Sequence, residues 1–209
     1  MKNTCIYMVD DDHDLCEAVV GLLRSVDLAV KTFASPNEFL QFPRPEVPSC
    51  LILDVRLKGA SGLDFQARMD DLRVNIPVIM MTAYGDIPMS VRAMKAGALG
   101  FLTKPFRDQD LLDAVVEALE HDRQRRVSEE GIIELRERHN RLSTREQEVM
   151  AMATTGLLNK QIAAELGISE VTVKIHRGSA MRKMNAGSFA ELVRMAQALS
   201  VQWQAQGQA

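Results

Sequence analysis

Five short apolar runs punctuate the first 120 residues: Cys5–Val9, Ala29–Phe33, Cys50–Leu53, Pro77–Met81 and Leu99–Leu102. Amphipathic stretches separate them, and that alternation confines the segment to βαβ units around a parallel sheet. Chemistry-bearing side chains stand at the carboxyl ends of these predicted strands: Asp10 and Asp11, Asp54, Thr82 and Lys104. In an open α/β sheet the strand carboxyl ends form the crevice where ligands bind. Three carboxylates, a hydroxyl and an ammonium at one edge suit a divalent cation and a phosphoryl group.

A carboxylate can attack a phosphoryl group to form an acyl phosphate. The attack brings anions together, so a divalent cation is needed to neutralise the transferring oxygens. Mg²⁺ takes oxygen ligands, usually one or two carboxylates with waters and the phosphate itself. Asp10 and Asp11 can supply such carboxylates, and Asp54 is placed to be both ligand and nucleophile. Lys104 can pair with one phosphoryl oxygen and the Thr82 hydroxyl can bond another. Asp12 and Asp14 are assigned instead to capping the helix Leu15–Val26.

Charge divides the chain. Residues 1–120 carry 12 Lys/Arg against 18 Asp/Glu, and residues 121–209 carry 13 against 10. An acidic part joined to a basic part suggests a metal-binding or regulatory unit coupled to a polyanion binder. The three cysteines, two of them in or beside strands, read as core thiols in a reducing compartment rather than a disulfide or zinc framework. No run reaches the roughly 20 apolar residues of a membrane span, and Met1-Lys2-Asn3-Thr4 carries no signal-peptide pattern.

The boundary falls in a polar, charged stretch, read as a helical linker over residues 121–141 between domains 1–120 and 142–209. Beyond it four helices are expected. Ser143-Thr144-Arg145-Glu146 and Ser188-Phe189-Ala190-Glu191 have capping-box spacing. Asn159–Leu166 is a short amphipathic helix ended by Gly167, and Ser169 opens a helix to about Met184. Two helices joined by a tight glycine-containing turn make a helix-turn-helix. On the second, Val173, Ala180 and Met184 keep core spacing, while Lys174, Ile175, Gly178 and Arg182 face outward. Lys can donate to guanine and Ile can touch a thymine methyl. Lys160, Thr172, Arg177, Arg182 and Lys183 are placed for phosphates. Helix pattern alone also admits a helical hairpin used for packing or dimerisation.

The motifs decide between these. Val9-Asp10-Asp11-Asp12, Leu51-Ile52-Leu53-Asp54, Met80-Met81-Thr82-Ala83, Ala93–Ala98 and Phe101-Leu102-Thr103-Lys104-Pro105-Phe106 resemble a two-component receiver domain. Leu142–Glu146, Gly156–Ala163, Gly167–Arg177 and Glu191–Arg194 resemble a LuxR-type DNA-binding domain. Their order is similar to the FixJ/NarL group, the FixJ branch above all.

The resemblance implies a flavodoxin-like receiver, five parallel strands in order 2-1-3-4-5, and a separate all-α four-helix domain. It implies Mg²⁺ held by Asp10, Asp11, Asp54 and the Arg56 backbone carbonyl, and phosphoryl transfer to Asp54 from a sensor histidine kinase. Lys104-Pro105 is then expected to be cis, and Ala83 small enough for its N–H to approach the phosphoryl group. Thr82 and Phe101 form the implied switch, acting on the face Ile87–Gly97, Leu99–Leu102 and Asp108–Glu120. In relatives that face forms the active dimer.

Two positions depart from the pattern. Lys58 stands where relatives usually carry Pro, which predicts a looser loop with a second ammonium near the site. In relatives the positions held here by Arg56 and Tyr84 tune acyl-phosphate lifetime, and these residues are expected to restrict the attacking water. The sequence reading is thus a cytoplasmic transcription regulator, not an enzyme, activated by Asp54 phosphorylation and homodimerisation. Its partners are a histidine kinase, promoter DNA and RNA polymerase, with no membrane. One alternative is a constitutively dimeric factor whose receiver needs no phosphorylation. Another, a Mg²⁺-dependent phosphatase, wants an acid/base carboxylate two residues past the nucleophile, where this chain has Arg56.

Overall fold

Strict alternation along the strands explains the sheet. Tyr7, Val9, Leu51, Leu53, Val78 and Met80 point into one buried cluster, and Ile6, Met8, Cys50, Ile52, Ile79 and Met81 into another. A sheet buried on both faces needs apolar residues at every position, which is why its strands read as continuous apolar runs. The computed structural model describes residues 4–83 and 85–201; Tyr84 and the terminal residues 1–3 and 202–209 lie outside them. The chain divides into two units, Met1–Arg126 and Val127–Ala209.

In the first unit the elements run β1 (Cys5–Val9), α1 (His13–Ser25), β2 (Val30–Phe33), α2 (Pro36–Gln41), β3 (Ser49–Asp54), β4 (Arg56–Leu57), β5 (Ala60–Ser61), α3 (Gly62–Gln66), β6 (Val78–Thr82), α4 (Ile87–Lys95) and β7 (Gly100–Thr103), then α5 (Asp108–Asn140). The main sheet is parallel, in the order β2-β1-β3-β6-β7. That is the expected 2-1-3-4-5 order with the short β4–β5 hairpin inserted after the third strand. Cys16, Val19 and Leu23 of α1 and Leu111, Val115, Ala118 and Leu119 of α5 cover one face. Phe39, Leu63, Phe65 and Ala93, from α2, α3 and α4, cover the other.

Two features differ from the sequence reading. The loop after Asp54 is not loose: Arg56 pairs with Ser61 and Leu57 with Ala60 in a hairpin closed by Lys58 and Gly59. The linker is helical as expected, but as the continuation of α5, which runs unbroken from Asp108 to Asn140. Within it, residues as far as Arg126 belong to the first unit, since the buried Asp122 carboxylate accepts from the Ser49 backbone N–H at 2.8 Å. Charged residues around 121–126 look like solvated linker in sequence, yet one of them is fully internal.

The second unit continues with α6 (Thr144–Thr154), α7 (Asn159–Leu166), α8 (Glu170–Met184) and α9 (Phe189–Ala198). Ser143 and Glu146 form the complete capping box that opens α6. At α9 only half of the expected box forms: Ser188 accepts from the Glu191 N–H, while Glu191 turns to the Gly187 N–H. Ser169 caps α8 and Gly167, at φ 64°, ends α7. Two apolar clusters hold the unit, one around Leu142, Met150, Ala180, Met184 and Leu192, the other around Val149, Ile162 and Val173.

Candidate functional site

Asp10 and Thr82 are buried at the carboxyl edge of the first unit's sheet, with Asp54 beside them as the last residue of β3. Lys104, just past β7, donates to Asp54 Oδ1 and Asp10 Oδ2 at 2.7 Å each. The other oxygens are also engaged: the Arg56 N–H donates to Asp54 Oδ2 at 2.7 Å, and the Asp12 N–H to Asp10 Oδ1 at 2.9 Å. The Lys104-Pro105 peptide is cis. Asp11 does not join the bridged pair; its Oδ2 lies 3.3 Å from Lys58 Nζ, so the second ammonium expected near the site is held by Asp11. Asp12 caps α1 by accepting from the Leu15 N–H, while Asp14 only adds charge to the first turn.

Burial raises the Asp54 pKa, opposed by its hydrogen bond to Lys104. Burial pulls Lys104 down, but its two carboxylate partners outweigh this and leave its pKa raised. The ammonium therefore stays charged between two carboxylates that would otherwise repel each other.

The donor set fits Mg²⁺. Among the described residues no group of three or more His, Cys, Asp or Glu is arranged as a metal cage, but Mg²⁺ asks for only one or two carboxylates beside waters and a phosphate. Three carboxylates against two ammoniums leave one net negative charge at this edge. A phosphoryl group on Asp54 would deepen that deficit, and a dication would cancel it.

Sequence reading overlooked two glycines here. A Cβ at Gly62 would lie 2.0 Å from the Asp54 carbonyl oxygen. Only a glycine lets α3 begin against the strand that ends in Asp54. A Cβ at Gly85 would lie 2.6 Å from Thr103 Cγ2, 3.2 Å from Phe101 Cε1 and 3.3 Å from Thr82 Cγ2. Gly85 thus adjoins both members of the expected switch pair, of which Thr82 is buried and Phe101 half-buried. Ala83 is exposed, as is Arg56, while Tyr84 lies outside the described residues.

In the second unit α7 and α8 form the helix-turn-helix. Lys160, Lys174, Ile175 and Arg182 are exposed; Thr172 is half-buried with its hydroxyl 2.8 Å from Ser169 Oγ. Gly178 is half-buried, and a Cβ there would approach only Arg182 Nη1, at 3.9 Å. Two of the residues expected from sequence to contact phosphates also make contacts within the fold. The Arg177 guanidinium lies 3.9 Å over the Phe189 ring and reaches Asn159 Oδ1. Lys183 donates to the buried Glu146 at 2.6 Å, beside the Ser179 hydroxyl at 2.5 Å. Spacing alone could not reveal either, because both partners are distant in sequence.

A parallel sheet with a lysine-bridged aspartate at its carboxyl edge, in a chain that also carries a helix-turn-helix, is the architecture of a receiver domain joined to a DNA-binding domain. Family models agree: residues 6–116 match the response regulator receiver domain and residues 140–196 the bacterial regulatory proteins of the luxR family. The chain belongs to the two-component response regulators of the FixJ/NarL group, which act in transcription regulation and are not enzymes. It is 53% identical over 196 residues to nodulation protein W of Bradyrhizobium diazoefficiens, covering 94% of this chain and 86% of that one. It is 38% identical over 196 residues to the transcriptional regulatory protein FixJ of Rhizobium meliloti, covering 94% and 96%. Among solved structures the response regulator StyR is similar, at 45% identity and a TM-score of 0.78, covering 93% of this chain and 98% of that one.

Proposed function

We propose that a sensor histidine kinase phosphorylates Asp54, and that the acyl phosphate drives homodimerisation and promoter binding to activate transcription. The observation that carries this reading is Asp54 itself, a buried carboxylate bridged to Asp10 by Lys104. In the transfer an Asp54 oxygen bonds to phosphorus, the phosphohistidine P–N bond breaks, and the kinase imidazole keeps the electron pair and takes a proton. Asp10, Asp11, Asp54 and the Arg56 carbonyl would hold Mg²⁺, which supplies charge neutralisation on the phosphoryl oxygens. Lys104 then exchanges Asp54 for a phosphoryl oxygen, the Thr82 hydroxyl turns toward another with the Ala83 N–H beside it, and Phe101 follows into the space Thr82 leaves. Exposed Arg56 shields the acyl phosphate from water; Arg56→Ala should shorten its half-life.

Shifting such a switch from almost off to almost on needs about 5.5 kcal/mol of differential stabilisation. On α4, Ile87, Val91 and Met94 are 80%, 44% and 50% exposed at i, i+4, i+7 spacing. Burying what these three expose on each protomer contributes about 5 kcal/mol, the same order as that requirement, with the rest of the face left to offset the entropy of association. Base contacts come from Lys174 and Ile175, with Gly178 open to the duplex; Lys160, Thr172 and Arg182 meet phosphates, and RNA polymerase is the partner at the promoter.

Intact mass after incubation with Mg²⁺ and a small phosphodonor tests the reading, beside Asp54→Asn. The expected result is one phosphoryl adduct, absent in the variant, accompanied by dimer formation in light scattering. No adduct on a folded chain, or equal dimer in both states, would replace it with a constitutive dimer.

A further inference from the structure

The outward face of α8 carries an apolar pair whose role the fold does not explain. Val171 is 66% exposed and Ile175 is 63% exposed. They sit at i and i+4, with Lys174 between them and Gly178 a turn further on, opposite the buried Val173, Ala180 and Met184. Neither belongs to the apolar clusters that hold the unit. β-Branched residues lower helix propensity, so on a solvent face they weaken α8 with no packing in return. Gly178 has no packing reason either, since a Cβ there would meet only the tip of Arg182. The face is therefore two branched apolar side chains around one ammonium, followed by a half-buried glycine with only the Arg182 tip beside it.

Resting on the DNA-binding role proposed above, we infer that Val171 is a second sequence-reading residue, and that Val171 and Ile175 each contact a thymine methyl group. Neither side chain has a hydrogen-bonding atom. The C5-methyl of thymine is the apolar group of the major groove such side chains recognise. Four helical residues rise about 6 Å, close to two base steps of about 3.4 Å each. The half-site this face selects contains two T·A pairs about two steps apart, with the guanine read by Lys174 between them. Gly178 lets the helix backbone sit near the base edges, which brings the branched side chains within contact of the methyls.

The test uses the phosphorylated full-length chain to select sites from a random duplex library, then replaces each selected thymine by deoxyuridine, which lacks the methyl. Two positions per half-site should each lose about fourfold in affinity, the worth of one buried methylene-sized group. Val171→Ala should erase the deoxyuridine effect at one position and Ile175→Ala at the other, with circular dichroism unchanged because both side chains are exposed. Selection of a site with no deoxyuridine sensitivity, or sensitivity untouched by Val171→Ala, overturns the assignment and leaves the DNA-binding role intact. Recovery of no site at all overturns both.

Discussion

Asp122 Oδ2 accepts a hydrogen bond from the Ser49 backbone N–H at 2.8 Å, joining α5 to the first residue of β3, the strand that ends in Asp54. The carboxylate is fully buried, and Arg125 and Arg126 donate to it at 2.6 and 2.8 Å. A buried carboxylate persists only with such partners. Asp122→Ala leaves the Ser49 N–H without its acceptor and two guanidiniums without their anion. It should destabilise the first unit by about 2–4 kcal/mol. Asp122→Asn keeps an acceptor for Ser49 and should lose about half as much. Urea unfolding of the two variants measures the order; equal midpoints would show that Ser49 gains nothing from the contact.

At the acidic edge, Lys104 is the positive charge shared by the Asp10 and Asp54 carboxylates. Lys104→Met removes it and leaves two buried carboxyl groups facing each other without a cation. The thermal midpoint in chelator should fall, and millimolar Mg²⁺ should recover most of the loss because a dication replaces the missing ammonium. The same addition should raise the parent chain less. Differential scanning fluorimetry with and without Mg²⁺ reads this directly. Equal Mg²⁺ responses in the two proteins would remove the dication from the Asp10–Asp54 pair.

On the proposed switch, a substitution at Gly85 should separate phosphorylation from its consequence. A Cβ there crowds Thr103, Phe101 and Thr82 at once, the nearest at 2.6 Å. Gly85→Ala should still accept a phosphoryl group, because Asp54 and Lys104 are untouched. It should block the coupled movement of Thr82 and Phe101, so the phosphorylated variant stays monomeric. Intact mass together with light scattering separates the two steps. A phosphorylated variant that dimerises like the parent would place the switch elsewhere.

The contrast between legible and hidden residues follows sequence distance. Strand order, the gathering of Asp10, Asp54 and Lys104 at one sheet edge and the position of α8 come through because each rests on a local apolar period or a motif beside a strand end. The internal contacts of Asp122, Arg177 and Lys183 do not, because each depends on a partner 18 to 73 residues away. In the sequence these residues are merely charges on amphipathic helices. Gly62 and Gly85 are hidden for a related reason, since only the assembled loops show what a Cβ would strike. Val171 is the reverse case: an apolar residue in a helix suggests core, and only its exposure shows otherwise.

Glu146 gives the second unit a pH dependence that also tests where Lys183 belongs. Hydrogen bonds from Lys183, from the Ser179 hydroxyl and from the Ser143 N–H hold its carboxyl down to about 2, from an ordinary value of 4.5. A depressed carboxyl pKa stabilises the fold fully above the unfolded-state value, and that stability drains away as pH falls from about 4.5 toward 2. The DNA-binding unit should therefore lose stability across that window, when followed by helix signal in circular dichroism. Lys183→Gln removes the strongest of the three contacts. It should cost about 1–2 kcal/mol at neutral pH, moderated because the lysine is partly solvated, and should flatten the acid limb. The salt dependence of DNA binding should stay as in the parent, whereas removing a phosphate-contacting lysine lowers that slope by about 1. A variant of normal stability with a reduced salt slope would return Lys183 to the phosphates and leave Glu146 held by Ser143 and Ser179 alone.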